Sequence, residues 1–443
     1  MANTYLTRTP ASTTNQKTFT FSFWFKRSKL SSSQYIYNQY NSSNDYNSAI
    51  LFGSSDNFIF WDYTNAYQLN LRTNRLFRDV NAWYHAVIAV DTTQATASNR
   101  AKIYINGVQE TSFSTATYPS QNLNLRINEY QPQQIGIFRY GSTNADFFDG
   151  SMSYVAFVDG TAELPTIFGE TDSVTGQWKI KTDITPSVAW GTNGFLILKN
   201  GNSLTDESTN TNNFTLGGGT LTNTLDCPSN VFATMNVLAN FETQWALFEN
   251  ANTYVRSAGT GEAFIASNLG IPATSGKFYA EVKYTAGGGY AQIGITGKAM
   301  PTASGEYLGQ LSDSYCYLQQ NGHKQNNDAS SSYGNTYAVG DIIGIAVDAT
   351  NSKIYFSKNG VWQNSGDPTS GATGTGAAFT ISTTPTDGFY FMGCDKQQGS
   401  TKNYFAWNFG NGYFQTTAVS SAGTPGSTPG TFEYDVPSGY EPL

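Results

Sequence analysis

A pattern of two consecutive strands, which occurs twice and far apart in the chain, constrains the fold more than any other feature. In the first copy, an apolar run that ends in aspartate (AVIAVD, residues 86–91) is followed by a run that closes on Asn-Gly (KIYING, residues 102–107). The second copy consists of IIGIAVD (342–348) and KIYFSKNG (353–360). Asn-Gly accommodates the positive φ angles that tight hairpin turns require. The repeat therefore predicts two β-sandwich modules, a type of domain that binds more often than it catalyses.

The rest of the chain also predicts β-structure. Phe19, Phe21, Phe23 and Phe25 alternate with other residues, which is the period-two pattern of a strand with one apolar face. Similar short runs recur throughout, separated by Asn, Asp, Gly or Ser, so we predict an all-β fold of two antiparallel jelly-roll sandwiches. The predicted division is a sandwich at 1–165, an ordered bridge at 166–240, a second sandwich at 241–418 and an extended C-terminal tail at 419–443. Because SSAGTPGSTPG (420–430) is too poor in apolar residues to fold alone, we expect a neighbouring subunit to hold the tail.

Composition excludes several classes of function. The 443 residues carry a net charge of −8 and no Lys/Arg cluster, so direct nucleic-acid binding is not expected. No apolar run is long enough for a membrane helix, and the N-terminus lacks the pattern of a signal peptide, so we expect the protein to be made and assembled inside a cell. The three cysteines have neither disulfide nor zinc spacing, and we expect free thiols.

Catalytic motifs are missing from the sequence. The two histidines are His85, which falls in an alternating strand and is expected to be structural, and His323, which falls in a polar loop that either contacts a ligand or is simply solvated. Glycoside hydrolysis needs only two carboxylates, but the nearest acidic spacings, Asp206-Glu207 and Glu433-Tyr-Asp435, lie in the bridge and the tail. We therefore predict that the protein is not an enzyme.

Three segments combine aromatic and amide side chains, as sugar-binding sites do. Aromatic rings stack on the apolar face of a pyranose while amides bond its hydroxyl groups. The candidate glycan-binding residues are Tyr35, Tyr37, Tyr40, Trp61, Tyr63, Tyr67, Tyr315, Tyr317 and His323. Tyr and Asn are also common at subunit interfaces, so a structural role competes with the glycan hypothesis for each segment. No cofactor is predicted.

Parts of the chain resemble two known domain families. The first domain resembles the LamG/pentraxin branch of the concanavalin A-like superfamily, through residues 19–26, 83–91, 103–107, 135–138 and 148–157. The second is similar to SPRY domains, through residues 340–348, 356–360 and 408–410. The first resemblance implies a jelly roll with glycan-binding loops and a calcium ion that Asp45, Asp56 or Asp62 would bind, whereas the SPRY positions are structural.

The order of the parts resembles that of tailed-bacteriophage virion proteins. In these proteins a LamG-like module, a bridge ending in a motif similar to CPSNVFATMN (227–236) and a SPRY-like module follow one another. The resemblance implies a virion component, as head decoration, fibre or tail appendage, that contacts other virion proteins and host-surface polysaccharide as a homo-oligomer, with a trimer favoured. Two alternatives remain open, namely a purely architectural virion protein and a polysaccharide-degrading enzyme.

Overall fold

The computed structural model describes residues 3–40, 46–239, 246–257, 263–303, 305–396, 402–426 and 429–443. In this part of the chain nearly all regular structure is β-strand, which confirms the predicted all-β fold. Six short 3-10 helices complete it, at Ala97–Asn99, Pro165–Ile167, Thr185–Ser187, Val237–Ala239, Gln363–Ser365 and Pro368–Thr373. None of the described helices is long and apolar enough to span a membrane. The chain forms two compact units, Met1–Asn223 with Cys227–Ser229, and Thr224–Asp226 with Asn230–Leu443.

The first unit is a sandwich of two antiparallel sheets. Its strands are β1 Tyr5–Arg8, β2 Thr18–Arg27, β3 Gln34–Tyr40, β4 Tyr46–Phe52, β5 Asn57–Thr64, β6 Ala66–Leu76, β7 Tyr84–Asp91, β8 Ala101–Ile105, β9 Val108–Gln109, β10 Phe113–Thr117, β11 Gln133–Ile135, β12 Phe138–Tyr140, β13 Thr143–Ala145, β14 Gly150–Asp159, β15 Gly169–Thr171, β16 Trp178–Ile180, β17 Phe195–Ile197 and β18 Thr215–Gly218. Eight strands pair in the order β10-β6-β5-β4-β3-β11-β1-β18, and six in the order β17-β14-β2-β7-β8-β9. β12–β13 and β15–β16 are separate hairpins.

The four alternating phenylalanines of β2 form the centre of the first core. Phe19, Phe21, Phe23 and Phe25 are completely buried, and the ring of Phe21 lies 4.8 Å from that of Tyr37 across the sandwich. Burying one such side chain contributes about 1.5–3 kcal/mol. The period-two pattern of the sequence thus sets which face of β2 enters the core.

The predicted bridge segment is ordered, and its apolar residues pack on the first sandwich. Phe168, Ile184, Val188 and Trp190 are buried against the outer face of the six-stranded sheet. Large apolar residues are spaced along this segment, and they cover a sheet face that β7 and β14 would otherwise expose. The first unit accordingly continues to Asn223, well past the predicted boundary at residue 165.

The second unit is also a two-sheet sandwich. Its strands are β19 Ala246–Glu249, β20 Tyr254–Ser257, β21 Phe264–Ala266, β22 Ile271–Pro272, β23 Lys277–Ala286, β24 Ala291–Thr296, β25 Ser314–Leu318, β26 His323–Asn326, β27 Ala329–Ser332, β28 Ile342–Asp348, β29 Lys353–Lys358, β30 Val361–Trp362, β31 Phe379–Thr380, β32 Phe389–Lys396, β33 Tyr404–Asn408, β34 Tyr413–Phe414, β35 Thr417–Ala418 and β36 Glu441–Pro442. One sheet has the order β19-β20-β33-β23-β28-β29-β30, with β31 and β36 attached, and the other β21-β32-β24-β25-β26-β27, with β22 attached. Ile293, Ile345 and Trp407 lie between the sheets, fully buried.

The two copies of the repeated pattern fold in the same way. Asn106 and Asn359 both have a φ of 49°, and the glycines that follow them have φ angles of 80° and 78°. The Oδ1 atom of Asn106 also accepts a hydrogen bond from the backbone N–H of His85 in β7, at 2.8 Å. In the same way, Oδ1 of Asn359 accepts one from the N–H of Ile342 in β28, at 2.8 Å. Asparagine therefore supplies both the left-handed turn and a bond that fixes the hairpin register.

The C-terminal tail packs on the second unit, so the expectation that a neighbouring subunit holds it is wrong. Phe432, Val436 and Tyr440 are buried against Tyr279 and Tyr355 on the outer face of the nine-stranded sheet. β36 adds a short parallel strand to β23. The prediction was based on the polar stretch that ends at residue 430. The apolar residues that hold the tail lie after this stretch, and they pack on a sheet face of their own unit.

Candidate functional site

The outer face of the eight-stranded sheet carries three cross-strand rows of side chains opposite the buried core. The rows, read across the strands, are Tyr35, Leu51, Ile59, Arg72 and Thr115; then Asn38, Ala49, Trp61, Asn70 and Thr117; then Tyr40, Asn47, Tyr63 and Tyr67. We call this surface the Trp61 face. The β12–β13 hairpin lies over its first row, where the ring of Phe138 is 4.7 Å from that of Tyr35.

The aromatic rings of the Trp61 face form an angled group that solvent reaches. The ring of Tyr67 stands nearly perpendicular to those of Trp61 (5.9 Å, 82°) and Tyr63 (5.2 Å, 76°). Tyr67 is 51% exposed, while Trp61 and Tyr63 are partly exposed. Asn70 lies directly opposite Trp61 on the neighbouring strand. Rings with amides beside them are suited to hold a sugar, whose ring faces are apolar and whose rim is polar.

The structure brings five of the predicted residues together on this face. They are Tyr35, Tyr40, Trp61, Tyr63 and Tyr67, although they lie on strands β3, β5 and β6 rather than in loops. Tyr35 is buried under the hairpin, so the remaining four form the accessible part.

Tyr37 is a correction to the predicted set. It is fully buried between the sheets, with its hydroxyl donating to Gln39 Oε1 at 3.1 Å. Strict alternation would place Tyr35 and Tyr37 on the same face, but the β3–β4 register shifts between them. Such a bulge reverses the facing of every later residue in the strand. Tyr37 therefore cannot act as a sugar-stacking ring.

Tyr315 and Tyr317 are further corrections. Both belong to β25 and point into the core of the second unit, where they are 4% and 0% exposed. The intervening Cys316 faces the other side, which is buried as well. Since both faces of β25 are covered, its tyrosines are structural.

His323 lies on β26 of the second unit and is separate from the tyrosines of the Trp61 face. It is partly exposed, and its Nε2 is 3.4 Å from Ser332 Oγ. No group of three or more His, Cys, Asp or Glu suited to a metal occurs in the part of the chain that the structure describes, and the cysteines are free. His323 accordingly belongs to no such group among the described residues.

Two of the three aspartates named for calcium, Asp56 and Asp62, occupy positions that do not favour a cation. Asp56 is buried and accepts from Arg27 and Arg78, each at 3.1 Å, so two guanidinium groups already balance its charge. Asp62 is buried on the core side of β5, between Ser48 Oγ and the N–H of Arg126, and burial raises its pKa to about 6. Asp45 lies outside the described residues.

His85 is a structural residue of the six-stranded sheet. Its ring is completely buried, stacked 4.7 Å from that of Trp24, and bonded to Ser22 Oγ at 2.9 Å and to the indole N–H of Trp178 at 3.0 Å. Since Trp178 donates to Nδ1, the ring is held neutral with its proton on Nε2, and burial lowers its pKa to about 3. Trp178 belongs to the former bridge segment, a partner that local pattern does not reveal.

Comparison with known families finds one matching domain family within each unit. Residues 1–167 match the concanavalin A-like lectin/glucanases superfamily, and residues 277–392 match the SPRY domain. The chain therefore contains a LamG-like domain followed by a SPRY domain. Domains of these types suggest a role in binding carbohydrate or protein.

Solved structures give only weak likenesses. The SPRY domain of human HERC1 is 16% identical over 37% of this chain and 92% of its own, with a TM-score of 0.28. A heptameric SAP-like pentraxin from Limulus polyphemus is 15% identical over 37% of this chain and 72% of its own, with a TM-score of 0.27. Stonustoxin is 13% identical over 40% of this chain, and the match spans only 27% of the stonustoxin chain, with a TM-score of 0.28. No curated protein sequence is significantly similar to this chain.

Proposed function

We propose that this protein is a structural component of a tailed-phage virion, and that its first unit binds host-surface polysaccharide at the Trp61 face. The observation that carries the binding proposal is the angled, accessible group formed by Trp61, Tyr63 and Tyr67, with the amide of Asn70 beside it. Water-exposed rings in a cluster are unfavourable unless a partner covers them, and a pyranose is a partner of matching size.

The covering of the other sheet faces supports the choice of this surface. The bridge segment packs on the outer face of the six-stranded sheet, and the tail on that of the nine-stranded sheet. Leu308 packs on Phe264 and Cys316, over the outer face of the seven-stranded sheet. Among the described residues, the Trp61 face is the sheet face with an exposed aromatic cluster.

The virion part of the proposal rests on the order of the domains. A LamG-like unit, the CPSNVFATMN segment and a SPRY unit are arranged as in the phage proteins that the sequence resembles. The protein would act as a head decoration, fibre or tail appendage, in contact with other virion proteins and as a closed homo-oligomer such as a trimer. Immunogold labelling of intact particles tests this part, and particles without label would contradict it.

A binding role is preferred to hydrolysis because the candidate acids have structural partners. Asp206 accepts from the N–H groups of Leu196 and Ser208, both at 2.9 Å, and so shapes its own loop. Glu433 bonds the backbone N–H of Ser420 at 2.7 Å, and Asp435 that of Thr424 at 2.6 Å. These carboxylates stabilise turns, and none of them lies on the Trp61 face.

The binding proposal is tested by titrating purified protein with polysaccharide extracted from the host envelope. Trp61→Ala should weaken binding about tenfold or more, because a stacked ring contributes upwards of 1.4 kcal/mol. Tyr290→Ala is the matched control, because Tyr290 lies in the second unit. Its exposed fraction of 47% is similar to the 51% of Tyr67. Wild-type affinity in Trp61→Ala would favour the architectural alternative, and sugar release by the wild type would favour the enzyme.

Chelation of divalent cations should leave binding unchanged.

A further inference from the structure

The Trp61 face carries one kind of formal charge. Arg72 is the only ionised side chain among the fourteen positions of its three rows, and no Asp or Glu occurs in them. The chain as a whole has a net charge of −8. The candidate binding surface of this acidic protein therefore carries a positive charge, which a negatively charged ligand could contact.

Arg72 differs from the two arginines that follow it in the sequence. Arg75 pairs with Glu110 at 2.6 Å, and Arg78 pairs with Asp56 at 3.1 Å. Arg72 has no ion pair and no side-chain hydrogen bond in the described part of the chain, and it is partly exposed. Arg75 and Arg78 thus have carboxylate partners, whereas Arg72 has none among the described residues.

The register places Arg72 where it reaches a ligand on Trp61. Trp61 is directly opposite Asn70, and Arg72 is two residues further along the same strand, on the same face. Such diagonal neighbours are about 7–8 Å apart at Cα, within reach of a long side chain. The Asn70 Oδ1 atom between them is buried and has no hydrogen-bond donor. A partly exposed ring and a guanidinium without an ion pair thus lie on the same face, with the Asn70 amide between them.

A second arginine lies at the covered end of the same face. Arg139 is on β12 of the hairpin, and its backbone N–H donates to Asn38 Oδ1 at 3.1 Å, in the row of Trp61. Its Nε atom is buried and has no hydrogen-bond partner, and the residue has no ion pair in the described part of the chain. Neither arginine therefore has an ion pair among the described residues, and the carboxylate at this end of the face is that of Asp146, near Tyr35.

We infer that the Trp61 face takes an acidic polysaccharide, with a sugar carboxylate pairing with Arg72 while a pyranose ring stacks on Trp61. This inference rests on the proposed glycan-binding function and names its ligand class. A guanidinium fits a carboxylate in a bidentate way, which a neutral sugar cannot use. Because the protein is acidic overall, long-range attraction would not draw polyanions to it indiscriminately.

The experiment compares polygalacturonate with its fully methyl-esterified form by calorimetric titration at low and high salt. The two polymers share one backbone and differ in charge. The wild type should bind the acid form about tenfold more tightly than the ester, which corresponds to roughly 1.4 kcal/mol for the charge pair. This difference in affinity should decrease at high salt. Arg72→Gln should remove the preference for the acid form, and Arg72→Lys should retain part of it. Lys102→Gln, a partly exposed cation of the six-stranded sheet, is the charge-matched control.

The outcomes separate this inference from the proposed function. Equal binding of both polymers by the wild type, or an unchanged preference in Arg72→Gln, would overturn the acidic-ligand inference and leave glycan binding intact. Binding of host polysaccharide without binding of polygalacturonate would also overturn the inference alone. Failure to bind host polysaccharide as well would overturn both.

Discussion

Glu281 makes the second unit sensitive to pH through the tail. Its carboxyl group is fully buried and accepts hydrogen bonds from the N–H groups of Glu433 (2.8 Å) and Tyr434 (2.9 Å) and from the hydroxyl of Tyr279 (3.0 Å). Burial is the largest influence on it, and the pKa rises to about 7 from an ordinary 4.5. The three donors oppose this shift, but they do not cancel it.

The direction of the pH effect follows from proton uptake. Between pH 4.5 and 7 the folded chain holds the Glu281 proton more tightly than the unfolded chain does, so stability falls as pH rises through this window. From pH 5 to pH 8 this one group should lower the free energy of unfolding by roughly 2.5 kcal/mol. The loss should be nearly complete at pH 8.

Urea unfolding at pH 5 and pH 8 measures this effect, followed by the fluorescence of the buried Trp407. Glu281→Gln cannot ionise, but it leaves one tail N–H without an acceptor, at a cost of about 1–3 kcal/mol. The variant should therefore be less stable than wild type at pH 5 and close to it at pH 8. Asp387→Asn, at an exposed carboxylate of the same unit, should keep the wild-type slope. A Glu281→Gln protein with the full wild-type slope would refute the assignment.

Three further predictions concern the packing of each unit. The buried ring of His85 has a pKa lowered to about 3, so between pH 7 and pH 5 only the unfolded chain takes up a proton at this residue. The free energy of unfolding of the first unit should therefore fall by about 2 kcal/mol as the pH is lowered from 7 to 5. Thermal melts of the wild type and of His85→Gln at both pH values measure the difference. Arg27→Met should destabilise by roughly 3–5 kcal/mol in urea, since it removes the buried partner of Asp56. Deleting residues 429–443 should expose the apolar face beneath the tail, seen as increased binding of a hydrophobic dye to the folded protein.

Local sequence signals predicted those parts of the fold that depend on local geometry. The alternation of Phe19 to Phe25 gave the strand and its buried face, and the Asn-Gly pairs gave two hairpin turns with positive φ. In both cases the residues that carry the signal also make the structure. The same holds for Trp61 and Tyr63, whose alternation with buried residues places them on the outer face.

The remaining errors arise where a distant segment decides the outcome. The bulge between Tyr35 and Tyr37 depends on pairing with β4, so period two alone misplaces Tyr37. The facing of Tyr315 is hidden because its strand is buried on both sides, which removes the alternation of polarity. Arg72 was missed for a related reason, since only the register shows that it lies on the same face as Trp61, two residues from the cross-strand partner of Trp61.

The covering segments explain why the Trp61 face is the surface to test. A sandwich of two amphipathic sheets leaves outer faces that are normally polar, yet in this chain the outer faces beneath the bridge and the tail carry Val87, Val158, Tyr279 and Tyr355. Each of these apolar faces is paired with a segment of the same unit that buries it, as hydrophobic burial requires. The Trp61 face is apolar at its centre as well, but its hairpin contacts only the β3 side of the face, at Tyr35, Asn38 and Tyr40, and leaves Trp61 and Tyr67 accessible. If apolar faces are generally covered within each unit, the accessible rings of Trp61 and Tyr67 belong to a face that a ligand from outside the unit covers. Because Arg72 on the same face has no ion pair among the described residues, we expect this ligand to be negatively charged.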